Sequence, residues 1–218
     1  MPRALFEKTG MAIYISHLDL MRLFQRAFKR AGLHLTHTKG YNPRPSVSIA
    51  LPLSLGVESR CELLDFDLDG DAVSNEEMCE RLNRALVEGV RVLKVYDDGS
   101  KLKHLAYLNC EVTLEYDRGI PEGAAERIGE LFSRKEILVG KRSKNGVAEQ
   151  NIKPMIRSLQ VLEQDRELQL KAVVCCQNPT LNPMQLSAAI DRYLPELTAD
   201  FVRVRRVEIY NTDGEIFR

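Results

Sequence analysis

The sequence predicts an α+β protein of two tandem β-α-β-β-α-β units. Three observations carry this. Apolar residues recur at helical spacing in four stretches that open on capping or turn residues. Between them lie strand-length stretches in which apolar and polar residues alternate. The order strand, helix, strand, strand, helix, strand fits the first ~100 residues and recurs in the remainder, and 218 residues suffice for two small domains.

In the first half, Ala4-Leu5-Phe6 and Ala12-Ile13-Tyr14-Ile15 read as strand, broken near Gly10. Ser16 is an N-cap with Asp19 three residues on, and Leu20, Phe24, Ala27, Phe28 and Ala31 form one apolar stripe that Gly32 ends. The opposite face carries Arg22, Arg26, Lys29 and Arg30. Thr38 to Pro45 holds two prolines and a glycine and reads as a stiff loop. Ser46 to Leu51 reads as a strand. Glu62 to Asp69 is another, with Leu64, Phe66 and Leu68 alternating with Asp65, Asp67 and Asp69. Ser74 opens a helix to about Leu86, and Val90 to Tyr96 closes the unit as a strand.

The second half begins with Leu108, Cys110, Val112, Leu114 and Tyr116 alternating with polar residues. Pro121 is expected to open a helix to Phe132. Glu136 to Lys141 reads as a strand, 143–151 as a polar basic loop, and Met155–Leu162 with Leu168–Cys176 as a hairpin around Gln164-Asp165. Asn182 caps a helix with Pro183 at its first position, reaching Tyr193. Val202 to Tyr210 is the last strand, with a phase slip that indicates a bulge at Arg205-Arg206. Each half fits the ferredoxin-like unit of four antiparallel strands under two helices. The expected subdomains are 1–100 and 101–218. The halves share element order, not sequence.

No apolar run approaches the ~18 residues of a membrane-spanning helix, and the chain starts without a signal-peptide core, so a cytoplasmic protein is expected. Cys61, Cys79, Cys110, Cys175 and Cys176 form no C-x-x-C and read as reduced core thiols. Charge balances overall at 31 basic and 31 acidic residues but is segregated. Residues 1–60 are net +6, 61–99 net −7 and 134–157 net +5. Such blocks either form opposed faces or interleave in the fold.

Ser16 to Pro45 holds His17, His34 and His37, three of the four histidines, and six cations against Asp19 alone. A basic helix followed by a rigid basic loop suits phosphate contacts from Arg22, Arg26, Lys29, Arg30, Lys39 and Arg44, with Tyr41 stacking on a base. The same pattern also describes a solvated helix face beside an ordinary turn. Cleavage of RNA without metal would draw on His17, His37 and Lys39. No metal or cofactor site is expected. His34 and His37 on an extended segment would face opposite ways, and Asp65, Asp67 and Asp69 read as a solvated strand face rather than a magnesium site. None of the common nucleotide-binding or hydrolase motifs is present.

The run Lys8 to Arg22, then Arg26 to Leu33, Gly40-Tyr41-Asn42-Pro43-Arg44-Pro45 and Ala50 to Glu58, resembles the bacterial radical-SAM-linked protein family, a domain of unknown function. The likeness is strongest over residues 3–70. It implies a radical SAM protein as partner. This chain has no C-x-x-x-C-x-x-C cluster motif, so radical chemistry would belong to that partner. The leading expectation is an RNA-binding or substrate-presenting accessory protein. The alternatives are a metal-independent endoribonuclease and a protein–protein adaptor that docks through the acidic 61–99 block.

Overall fold

The computed structural model describes residues 1–70, 72–143 and 146–218. The chain divides into two compact units, Met1–Lys103 with Arg218, and His104–Phe217. Both mix helices with antiparallel strands. No helix among the described residues is long and apolar enough to cross a membrane.

In the first unit, β1 (Arg3–Lys8) leads through a 3-10 turn (Gly10–Tyr14) into α1 (His17–Arg30). Then come β2 (His34–Leu35), β3 (Val47–Ile49), β4 (Val57–Phe66), β5 (Leu68–Asp69), α2 (Asn75–Ala85) and β6 (Val90–Tyr96). The strands run β6-β1-β4-β3, each antiparallel to its neighbour, and β2 pairs with β5.

α1 forms for the reasons its sequence suggests. The Ser16 hydroxyl accepts from the Asp19 amide at 3.2 Å and donates to the Asp19 carboxylate at 2.8 Å. At the far end Gly32 sits at φ +68°, the left-handed region glycine tolerates. Its amide donates to the Lys29 carbonyl at 3.2 Å and that of Leu33 to the Phe28 carbonyl at 2.9 Å, a double closure of the last turn. Leu20, Phe24 and Phe28 pack with Phe6, Leu64 and Phe66, and Leu68 joins them partly buried. Phe24 meets Phe6 edge-on, and Phe28 meets Phe66 tilted, both at 4.8 Å between centroids.

Two expected strands take other forms. Ala12 to Tyr14 is not extended but belongs to the 3-10 turn, and only Ile15 after it returns to extended backbone. Gly10 turns the chain at φ +55°, and the buried Lys8 ammonium donates to the carbonyls of Ile13 at 3.0 Å and Ile15 at 2.7 Å, holding the turn closed. The Glu62–Asp69 strand begins earlier, at Val57, and breaks after Phe66. Asp65, Asp67 and Asp69 therefore do not share one solvated face. Asp65 is bound by Arg3, the Asp67 carboxylate accepts from the Thr36 hydroxyl at 3.1 Å, and Asp69 lies exposed on β5.

The second unit contains β7 (Leu105–Glu115), α3 (Ala124–Ser133), β8 (Leu138–Ser143), β9 (Gly146–Asn151), β10 (Ile156–Gln164), β11 (Glu167–Cys175), α4 (Met184–Tyr193) and β12 (Phe201–Asn211). Its main strands run β12-β7-β11-β10, all antiparallel. The loop expected over 143–151 is mostly strand: β9 pairs with β8 as a separate hairpin, and residues 144 and 145 lie outside the described residues. α3 starts at Ala124, not at Pro121, because Gly123 at φ +67° interrupts the chain just before it. α4 starts at Met184, so Pro183 stands at its N-cap and not at its first position; the Asn182 side-chain oxygen, one residue earlier, accepts from the Met184 amide at 3.1 Å. The β12 register slips between Arg206 and Glu208, one residue beyond the expected bulge.

Candidate nucleic-acid interface

The face of α1 opposite its core stripe exposes Arg22, Arg26, Lys29 and Arg30. The structure separates these cations into engaged and available groups. Arg22 pairs with Asp19 at 2.9 Å, and the Arg30 guanidinium donates to the Ala85 carbonyl at the end of α2. The Ser16 hydroxyl and then Arg22 hold the Asp19 carboxyl below its ordinary pKa. Arg26 and Lys29 have no hydrogen-bond or ion-pair partner among the described residues.

The loop after β2 is closed at its base. The Thr38 amide donates to the Arg44 carbonyl at 2.8 Å, and the Arg44 amide donates to the Thr38 hydroxyl at 3.0 Å. The Ser46 amide donates to the Thr36 carbonyl at 2.8 Å. Lys39 to Pro43 thus form a tip on a tied stem. Tyr41 at the tip is 101% exposed, and the side chains of Lys39 and Arg44 are exposed without partners among the described residues.

Between the second half of α1 and this segment opens a pocket of about 350 Å³. Its polar lining is Gln25, Lys29, His34 and His37; its apolar lining is Phe28, Leu33, Leu35 and Pro45. His34 and His37 were expected to face opposite ways. They line one pocket because β2 ends at Leu35 and the chain turns before His37 bridges to Pro45. Two imidazoles do not make a metal site, and among the described residues no three His, Cys, Asp or Glu side chains gather as one.

His17 opens α1, eight residues before Gln25, so ~12 Å of helix separates it from the pocket. Its Nδ1 is buried without a hydrogen-bond partner among the described residues. His17 and Lys39 are not among the residues that line the pocket with His37.

Sequence reasoning missed Gln25, Leu33, Leu35 and Pro45 because nothing local marks them. The signal lies in Gly32, whose turn carries Leu33 to Leu35 back along the helix end. It also missed Arg81 and Arg84, which line a cleft with Arg30 although they belong to the acidic 61–99 block. Charge blocks interleave here. Both arginines are engaged, Arg81 with Glu77 and Arg84 with Glu80. A buried polar trio, Lys8, Ser59 and Glu62, was also unforeseen, with the Ser59 hydroxyl donating to Glu62 at 2.7 Å. Lys8 in phase with Ala4 and Phe6 was the available signal.

The family model described as "Uncharacterized protein conserved in bacteria (DUF2344)" matches residues 2–183. The chain belongs to this family. The family description names no radical SAM enzyme, so that link rests on resemblance alone. No curated protein matches the chain. Among solved structures, the chain is similar to one in the crystal structure of a Cbf5-Nop10-Gar1 complex, at TM-score 0.51 and 12% identity, covering 95% of this chain and 48% of that one. This family member thus spans about half the length of that chain, and the likeness is one of fold. An unknown protein from Galdieria sulphuraria aligns at 12% identity over 94% of this chain and 96% of that one, with TM-score 0.26.

Proposed function

We propose that the chain is an RNA-binding accessory protein that holds RNA through α1 and the loop that follows β2, and that it works beside a separate radical SAM enzyme. One observation carries the RNA reading: Lys29, Lys39 and Arg44 are exposed cations without partners among the described residues, with Tyr41 fully exposed between the last two. Unpaired cations can neutralise phosphates without first breaking an ion pair, and an exposed aromatic ring offers a stacking surface. Arg26 extends the same face along α1. The partner enzyme is carried by the sequence resemblance, which is specific over 3–70 and includes this loop.

The strand orders β6-β1-β4-β3 and β12-β7-β11-β10, each with two helices in the expected places, support reading both units as ferredoxin-like. That architecture is used widely and does not itself select RNA.

The test is fluorescence anisotropy with a labelled single-stranded RNA over a salt series. Three or four neutralised phosphates give a log–log slope of about −2 to −3. Changing Lys29, Lys39 and Arg44 together to Gln should remove most of the binding. Arg22→Gln should do less, since Asp19 already occupies Arg22. Binding insensitive to salt and to the triple change refutes the reading. Co-purification from the native cell tests the partner: recovery without any radical SAM protein counts against it.

A further inference from the structure

The geometry points to the pocket between α1 and the His34–His37 segment as a receptor for one unstacked nucleotide, with its base and phosphate held together. This rests on the RNA reading for the source of the nucleotide, a single strand passing the Lys39–Arg44 loop.

Four observations lead there. The volume of about 350 Å³ lies at the small end of the ~300–1,000 Å³ usual for ligand sites, which suits one nucleotide and not a folded partner. Its apolar lining, Leu33, Leu35 and Pro45 with the buried Phe28, can take the face of a flat ring. The exposed imidazoles of His34 and His37 can stack on a base or hydrogen-bond its edge, as in the recognition of single-stranded RNA. Lys29, in the same lining, supplies a cation with no hydrogen-bond or ion-pair partner among the described residues. A phosphate alone would need no apolar wall, and an apolar peptide would gain nothing from the lysine and the imidazoles. A nucleotide uses both.

The pocket is also held in shape. The Gly32 closure fixes where Leu33 leaves α1. The Thr36 amide donates to the Asp67 carbonyl at 2.9 Å, and the Asp67 amide donates to the Ser46 carbonyl at 3.0 Å, tying the floor to the residues before β3. A pre-formed site avoids the ordering cost that a loose loop would incur on binding.

The experiment is a heteronuclear NMR titration of the full chain with AMP, with ribose 5-phosphate and with inorganic phosphate, followed by an oligouridylate of about twelve nucleotides, a common single-strand site size. AMP should move the signals of Lys29, His34, Leu35 and His37. It should bind at least about fivefold tighter than ribose 5-phosphate, the low end of what one stacked base contributes. The exposed changes His34→Ala with His37→Ala, and Lys29→Gln separately, should each weaken AMP by about threefold or more at an unchanged melting temperature. Arg44→Gln should leave AMP unaffected and weaken the oligonucleotide. Equal binding of AMP and ribose 5-phosphate overturns the pocket assignment. So do shifts confined to other residues, and so does a histidine double variant that binds AMP normally. The RNA reading fails separately: an oligonucleotide that does not bind while AMP still fills the pocket makes the ligand a free nucleotide.

Discussion

Replacing Asp65 by Ala should destabilise the first unit by about 3 kcal/mol, the low end of the ~3–5 kcal/mol for removing one partner of a buried pair. Arg3 and Asp65 face each other across β1 and β4. The Arg3 Nε donates to Oδ1 at 2.5 Å and its Nη2 to Oδ2 at 3.1 Å, a two-pronged contact, and Nη1 donates to the Ser100 carbonyl at 2.9 Å. The side chains are 6% and 15% exposed, so removing the carboxylate leaves a guanidinium with little access to water. Burial is the largest influence and lowers the Arg3 pKa; the hydrogen bond and charge of Asp65, together with Tyr96, outweigh it, and the net shift is upward. The slight exposure of Asp65 is why the low end applies. Changing both partners, Arg3→Met with Asp65→Leu, removes the attraction and the desolvation cost together and should land within about 1 kcal/mol of the parent. Urea unfolding measures this: at an m-value of ~1–3 kcal/mol/M, the single change moves the midpoint of the first unit by roughly 1–3 M. An Asp65→Ala cost below about 1 kcal/mol, or a double variant worse than either single one, would refute the reasoning. The pair also bears on function, because Asp65 committed to Arg3 is not available for a metal.

Other outcomes follow from the same structure. Phe24→Ala removes a fully buried ring that meets Phe6 edge-on and should cost ~3–5 kcal/mol, read as a lowered urea midpoint of the first unit; retention of the midpoint would show the ring is not in this core. Asn83 satisfies both backbone groups of Val92 on edge strand β6, its amide donating to the carbonyl at 2.9 Å and its oxygen accepting from the amide at 2.8 Å. Asn83→Ala should cost ~1–3 kcal/mol and increase self-association in sedimentation, since an open edge invites strand pairing. Cys79 and Cys175 are half-buried and should be alkylated in the native protein before Cys61, Cys110 and Cys176, as mass spectrometry would report. Burial pushes the thiols of Cys110 and Cys176 and the phenol of Tyr116 each up to about 12. Their neutral forms therefore favour the fold fully below pH ~9–10, and that stability is lost as pH rises through about 12; a second unit whose melting temperature holds from pH 9 to 12 would contradict this.

Much of the architecture was legible locally. The Ser16 cap, the Leu20–Phe24–Phe28 stripe and the Gly32 stop specify α1 with bonds that span a few residues. The alternation along β7 and the Asn182–Met184 bond before α4 work in the same way. The mixture of helices and strands in each half could also be read, because period two and period 3.6 differ over short windows. What failed did so because the deciding contact comes from outside the stretch itself. Residues 12–15 have strand-like composition, yet the ammonium of Lys8 closes 12–14 into a 3-10 turn. Asp65 and Asp67 alternate like a solvated face, yet Arg3, 62 residues away, and Thr36 bind them. Residues 143–151 look like a basic loop, but pairing with β8 makes most of them strand.

The candidate site divides in the same way. Sequence alone determined which side chains bear charge, that four cations share the outer face of α1, and that a stiff loop presents Lys39, Tyr41 and Arg44. Only the tertiary structure decided that Arg30 is engaged, because it brings the Ala85 carbonyl at the end of α2 to it from 55 residues along the chain, whereas Arg81 and Arg84 pair with Glu77 and Glu80 one turn back on the same helix. Only it brought His34 and His37 to one pocket with Lys29. A strand's alternation is a rule of local backbone geometry, whereas the end of β2 and the return at Pro45 are imposed by β5 and by the ties to Asp67, which lie 21 to 35 residues along the chain.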